Sequence, residues 1–342
     1  MHSHHSHSGD YIAHGVDPLD DMILKVEKMK FHTYCLTEHI PRIESEFLYP
    51  EEIDNTDSNN GTDSLAQLQL NFSKFLEHAQ RIKDLHKEGK PNIIIGTEIE
   101  ACNTNHIQYA KKLLSEHKDL LKFCVGSVHH INGIPIDFDQ ENWDNALSSF
   151  SNKNLKQMLI SYFESQYEML QVLQPKVVGH FDLFKLFWPN DLKVNSKTGD
   201  CNVSNNDVDI ITITPMTYLN AWDDIRQLVI RNLKYINSYG GAIEINTSAL
   251  RKGLEEPYPS SNIGELVKQH CQGRFVLSDD AHGIAQVGVR YLDALQYITQ
   301  TLQLDNMYYL KENGENRTVQ LEKIPIAEFV NNEFWTLLKA NK

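Results

Sequence analysis

Residues 31–39, FHTYCLTEH, pass from an apolar run directly into a polar triplet, and that junction decides the fold. Residues 31–36 have the length and composition of a buried strand, and Thr37-Glu38-His39 stands where the strand stops. The junction recurs along the chain: 92–95 runs into Gly96-Thr97-Glu98, 122–128 into His129, and 176–178 into Gly179-His180. Further on, 242–245 runs into Asn246, and 274–277 into Ser278-Asp279-Asp280-Ala281-His282. Helical sequence fills the intervals, from about Pro18, a favourable first-turn residue, to Lys30, then over 64–88, 105–116, 155–173, 215–237 and 262–271. With a first strand at the histidine-rich start, this makes seven strand–helix units.

Apolar strands alternating with helices imply a parallel sheet with its helices outside. An open sheet gathers its site at one switch point, whereas a barrel brings every strand end to one rim. Because polar residues terminate nearly every strand, the economical fold is a distorted seven-unit (β/α) barrel, one unit short of the usual eight, with the site at the C-terminal strand ends. The chain reads as one domain over 1–342. An acidic, Asn-rich insertion covers 43–63 as a lid or a solvated loop, and a second insertion covers 189–214. A C-terminal extension from about 303 carries an alternating pair around Asn313-Gly314, which predicts a hairpin, and then a last helix.

The first fourteen residues, MHSHHSHSGDYIAH, could be a metal-buffering tail if taken alone, and the later motifs decide against that. His5 and His7, two apart on a strand, share a face and can grip one ion. His2 and His4 fall outside that pair and are expected to be terminal and dispensable. A net charge of −14 argues against binding a phosphate backbone, which needs Lys and Arg, so no nucleic-acid partner is expected. No apolar run reaches the roughly 18 to 20 residues of a membrane helix, and a soluble, cytoplasmic protein is expected. Five cysteines without a CxxC pair imply neither a disulfide framework nor a zinc knuckle.

HxH, TEH, GxE, SVHH, GHxD and DAH in this order resemble the polymerase-and-histidinol-phosphatase (PHP) superfamily. Within it, TEHIPR, FCVGSVHHINGIPIDFD, VVGHFDLFK, EINTSALRK and VLSDDAHG are similar to the histidinol-phosphate phosphatase branch. The resemblance covers almost the whole chain, with one extra residue between His7 and His14 relative to the commonest spacing. It implies three divalent or trivalent metal ions: His5, His7, Glu98 and Asp280 on the first, His14, His39 and His282 on the second, and Glu98, His129 and His180 on the third. Glu98, Asp280 and His282 would be the catalytic members of that set. Imidazole and carboxylate donors suit zinc, iron or manganese. Ions held this close can lower the pKa of water and clamp phosphate oxygens. Glu38 and Asp279, each beside a ligand, are candidates for orienting imidazoles or for plain exposure. His130 is expected to point away from the ions, and His78, His86, His106 and His117 carry no assigned role.

The implied reaction is hydrolysis of L-histidinol phosphate, the expected small-molecule partner, in histidine biosynthesis. Lys185, Arg251 and Arg42 follow strand ends and are the candidate phosphate cations. Glu255, Glu256 or the carboxylates of 43–63 are candidates for the ammonium and imidazole end. A broader PHP-type phosphoesterase is the alternative. A non-catalytic metal protein on the same barrel would normally lack some of the nine ligands, and here all nine are present.

Overall fold

The computed structural model describes residues 1–53, 61–86, 91–204, 208–313 and 318–340. Each junction read from the sequence is a strand: β1 (His2–Ser3), β2 (Thr33–Leu36), β3 (Asn92–Ile99) and β4 (Phe123–Gly126), followed by a small hairpin of β5 (His130–Ile131) and β6 (Ile134–Pro135). Then come β7 (Val177–Val178), the hairpin β8 (Lys193–Asn195) and β9 (Ile210–Thr212), β10 (Ala242–Asn246) and β11 (Phe275–Ser278). Seven of these pair in parallel in the order β1-β2-β3-β4-β7-β10-β11. The last strand returns to the first, since the His7 amide donates to the Ala281 carbonyl at 2.8 Å and the Asp280 amide to the His5 carbonyl at 3.2 Å. The ring is therefore nearly closed, as the seven-unit barrel requires. β2, β4, β10 and β11 are buried at every position, which is why β2, β4 and β11 read as mostly apolar runs and not as alternation, while β10 carries Glu244 among its apolar residues.

The outer helices follow from their periodicity and caps. In α1 (Leu19–Lys28) the buried side chains Leu19, Met22, Ile23 and Val26 repeat at helical spacing, and burying each contributes about 1.5 to 3 kcal/mol. After α2 (Thr62–Leu85), α3 (Thr104–Glu116) begins at Asn103, whose side chain accepts the His106 amide. Asp139 caps α4 (Gln140–Ser148) and Asn154 caps α5 (Leu155–Leu173) in the same way. The helix expected over 215–237 is instead two, α6 (Tyr218–Ala221) and α7 (Asp223–Tyr239). Trp222 breaks it in an extended conformation, because its buried indole N–H donates to the Ser196 carbonyl at 2.8 Å. The barrel continues through α8 (Ser248–Arg251), α9 (Ser261–His270) and α10 (Tyr291–Gln296).

The C-terminal extension forms the predicted hairpin, β12 (Asn306–Glu312) against β13 (Val319–Pro325), although Gly314 lies outside the described residues. The single last helix is two, α11 (Ile326–Val330) and α12 (Glu333–Ala340). This hairpin overturns the expectation for His2 and His4. Both are buried: His2 stacks on Tyr309 with centroids 4.1 Å apart, and His4 bridges the Leu277 carbonyl and the Leu310 amide. They fasten the barrel seam to the extension and are packed side chains, not a free terminus. In the first insertion, residues 45–47 and 50–52 are short turns that bury Phe47 and Tyr49, while 54–60 lie outside the described residues. The second insertion is the β8–β9 hairpin with Val194 and Ile213 in the core; its tip at 205–207 is likewise outside them.

Candidate metal centre

Strand β3 runs past the end of β2, so Glu98 lies inside the strand and its amide reaches the Thr37 carbonyl at 3.0 Å. Two glycines make the room. A side chain on Gly96 would sit 2.5 Å from the Phe123 ring, and one on Gly179 would sit 2.3 Å from Ser127 Oγ. That hydroxyl is needed where it is, because it donates to Glu98 Oε1 at 2.7 Å.

Imidazoles converge on both oxygens of Glu98. His129 Nε2 and His180 Nε2 lie 3.2 and 3.0 Å from Oε1. His5 Nε2, His7 Nε2 and His39 Nδ1 lie 3.0, 3.2 and 3.1 Å from Oε2. Asp280 Oδ1 is 3.7 Å from His5 Nε2 and 3.6 Å from His7 Nε2. Asp280 holds a left-handed φ of 51°, which Asp tolerates better than most residues, and its carbonyl lies 2.9 Å from His282 Nδ1. The donors form three tight groups: His5, His7 and Asp280; His7, His39 and His282; Glu98, His129 and His180.

This donor set fits bound cations. His5 Nε2 and His7 Nε2 face one another at 3.0 Å, and two carboxylate oxygens cannot give good hydrogen bonds to five imidazoles and a serine at once. Lone pairs gathered this densely in a buried site are compensated by metal ions. The outer nitrogens are oriented by carboxylates, a common feature of metal sites: Glu244 lies 3.2 Å from His5 Nδ1, Asp137 3.3 Å from His129 Nδ1, and Glu38 3.5 Å from His7 Nδ1. Burial alone would depress His5 and His129, but the carboxylates around them outweigh it and hold both well above the usual histidine range. Burial likewise opposes ionising Glu98, and the surrounding imidazoles more than offset that, so its pKa is well below the ordinary value.

Eight of the nine expected ligands meet here. His14 stands apart: its ring centre is 5.0 Å from that of His282 and 5.7 Å from that of His39, its side chain is 34% exposed, and Nδ1 lies 3.6 Å from Glu51. The turn after the first strand carries it to the cavity mouth, and His7 takes its place in the group with His39 and His282. Glu38 is buried against the centre, whereas Asp279 accepts from Ser3 Oγ and the Gly288 amide and holds the barrel seam. His130 is buried outside the three groups, as expected.

Two of the three expected phosphate cations are displaced. Lys185 is buried, donating to the Pro257 carbonyl and Ser260 Oγ beside Asp182. Arg42 is buried between Glu52 and Glu100, at 2.6 and 2.7 Å. Both are consumed by internal partners, and only Arg251 lines the cavity, together with Lys252, which sequence reasoning passed over. Glu244 was also missed. A charged residue two before Asn246 in the apolar strand AIEIN was the available signal, since alternation puts both on one face. Asp137 had none, because it reaches His129 through the β5–β6 hairpin.

Above the donors opens a cavity of about 320 Å³, lined on one side by Arg251 and Lys252 and elsewhere by Tyr49, Glu51, Phe138 and Gln286. A nearly closed (β/α) barrel with such a cluster at its strand ends defines the class of barrel hydrolases built around several metal ions. Residues 3–248 match the PHP domain, and the chain belongs to the PHP family. Across 98% of its length it is 55% identical to the histidinol-phosphatase of Saccharomyces cerevisiae, of which it covers 99%. A candidate histidinol phosphatase from Listeria monocytogenes aligns with a TM-score of 0.63 at 19% identity, over 86% of this chain and 99% of that one. The histidinol phosphate phosphatase of Lactococcus lactis, solved with zinc, L-histidinol and phosphate, aligns with a TM-score of 0.52 at 14% identity, over 86% and 93%. At these identities the solved structures speak for the fold. Among the described residues no helix is long and apolar enough to cross a membrane.

Proposed function

We propose that the chain is a metal-dependent histidinol-phosphate phosphatase, hydrolysing L-histidinol phosphate to L-histidinol and inorganic phosphate in the cytoplasm. The observation that carries this is the near full-length 55% identity to a histidinol-phosphatase, combined with a donor cluster lying beneath a cavity that has cations on its wall. The Lactococcus lactis relative, with zinc and both products, supports the same ligand class.

Three ions, of zinc, iron or manganese, would be held by the groups around Asp280, His282 and Glu98, with His14 completing the second from the mouth. When bound, such ions supply Lewis acidity toward phosphate oxygens and activate water. The chain's own residues do the rest. Glu98 carries the negative charge that joins the groups, and Asp280, His282 and the other imidazoles fix the donor positions. Glu244, Asp137 and Glu38 keep His5, His129 and His7 in one ring orientation. Arg251, whose Nη2 donates to the Asp280 carbonyl at 3.3 Å, is held beside the candidate ligands and lines the cavity, where its guanidinium can meet a phosphate dianion. Lys252 adds a second positive charge to that wall, which a chain of net charge −14 needs in order to attract an anionic substrate.

The test is kcat/KM for L-histidinol phosphate against a panel of phosphomonoesters and a DNA primer, before and after chelation. Preference for L-histidinol phosphate, abolished by the chelator and restored by metal, is expected. Equal activity across the panel would favour the broader phosphoesterase.

A further inference from the structure

Phe138 is 40% exposed, yet it lines a cavity whose other residues are mostly imidazoles, carboxylates and cations. It packs parallel to Tyr49, with centroids 5.7 Å apart and planes 12° from coincidence. Tyr49 in turn is immobilised. Its hydroxyl donates to Glu100 Oε1 at 3.2 Å, its amide donates to Glu52, and the Arg42 guanidinium lies 4.2 Å from its ring centre. Arg42 is thereby a clamp, tying the 49–52 segment to strand β3 through Glu52 and Glu100. Two residues along that segment, Glu51 enters the same cavity with its side chain 31% exposed.

We propose that Tyr49, Glu51 and Phe138 form the subsite for the planar, cationic end of the substrate, an imidazole ring that stacks on Phe138 and whose ring N–H donates a hydrogen bond to the Glu51 carboxylate. This rests on the reading of the site as a histidinol-phosphate phosphatase and names the residues that select that substrate among phosphomonoesters. An aromatic face in the same cavity as a carboxylate is complementary to a flat cation and offers much less to a small acyclic ester such as glycerol phosphate. The opposite charge, on Arg251 and Lys252, comes from a separate element, α8 and the residue after it. A ligand with a phosphate at one end and a protonatable ring at the other matches both walls at once. The rigid backing of Tyr49 by Arg42 presents the aromatic wall already formed, which limits the ordering cost of binding.

The experiment compares kcat/KM on L-histidinol phosphate and on glycerol phosphate for the metal-loaded wild type, Phe138→Ala, Phe138→Tyr and Glu51→Gln, with bound metal measured for each. Phe138→Ala and Glu51→Gln are expected to lower the value for L-histidinol phosphate by about tenfold each, mainly through KM, as loss of a stacking or charge-assisted contact does. Glycerol phosphate is expected to stay within about twofold and the metal content unchanged, and Phe138→Tyr is expected to retain the preference. A parallel fall on both substrates, or loss of metal in Glu51→Gln, overturns the subsite and makes Glu51 an orienting partner of His14. A wild type that hydrolyses glycerol phosphate as well as L-histidinol phosphate overturns the functional reading itself, a result separable from the behaviour of the variants.

Discussion

The two faces of the N-terminal segment place the same residue type in opposite roles. His5 and His7 turn toward Glu98 and Asp280, among other imidazoles and with carboxylates at their outer nitrogens. His4, one residue away, meets one carbonyl and one amide: Nε2 accepts from the Leu310 N–H at 3.1 Å, so Nδ1 must carry the proton given to the Leu277 carbonyl at 2.8 Å. That pair of bonds requires a neutral ring. Burial drives the His4 pKa down to about 4, against the weaker opposing pull of the Leu277 carbonyl and Glu244. The partners decide whether a histidine is a ligand or a structural wedge, and the partners are set by which way a strand residue faces. The cations divide in the same way, with Arg251 facing the cavity while Arg42 and Lys185 are taken up by internal carboxylates and carbonyls.

The sharpest way to break this contrast is to truncate one histidine on each face. His5→Ala is expected to reduce turnover of L-histidinol phosphate to background and to lower bound metal while the fold persists, checked by kinetics with metal analysis and circular dichroism. His4→Ala is expected to keep its metal per folded molecule but to lose about 2 to 4 kcal/mol of stability, because two buried backbone groups are left unpaired. Denaturant unfolding measures that loss. If His4→Ala instead lost metal at undiminished stability, the two faces would not be distinct.

The cations offer a milder version. Arg251→Ala is expected to lower kcat/KM by about ten- to a hundred-fold, the loss of a charge-assisted contact of roughly 1.5 to 3 kcal/mol, with metal content unchanged and Lys rescuing only in part. Unchanged kinetics would return Arg251 to the surface cations and leave the phosphate to Lys252 and the metals.

The last effect is absent at neutral pH and appears only in acid. Burial lowers the His106 pKa to about 4 and that of His130 to about 3, as it does for His4. A histidine held neutral in the fold but free to protonate once unfolded costs nothing above its ordinary value near 6.5. Stability is lost as pH falls from there toward the folded-state pKa, by about 1.4 kcal/mol per pH unit for each ring. Replacing His106 by Met is therefore expected to flatten stability against pH between about 6.5 and 4, and an unchanged slope in thermal melts would contradict it.

The barrel was legible in the sequence because most of the parallel strands are largely apolar runs closed by polar residues, and the eight converging donors were legible because those residues follow strand ends. What was not legible depends on long-range partners. The burial of His2 and His4 depends on a hairpin some three hundred residues later, made by Tyr309 and Leu310. The fates of Arg42 and Lys185 depend on Glu52, Glu100 and Ser260. Asp137 reaches the centre only because a two-residue-stranded hairpin folds back on His129. No local pattern encodes these, whereas Glu244 in AIEIN carried a signal in its charge and register.

The central claim is that the Glu98 carboxylate joins the metal groups on which turnover depends. The most direct measurement is metal per chain by mass spectrometry, taken alongside turnover of L-histidinol phosphate, for the wild type and Glu98→Gln. An amide of the same shape keeps the packing but cannot supply the charge, so the variant is expected to hold fewer ions and to lose nearly all turnover. The same metal content with near-normal turnover in Glu98→Gln would contradict the account.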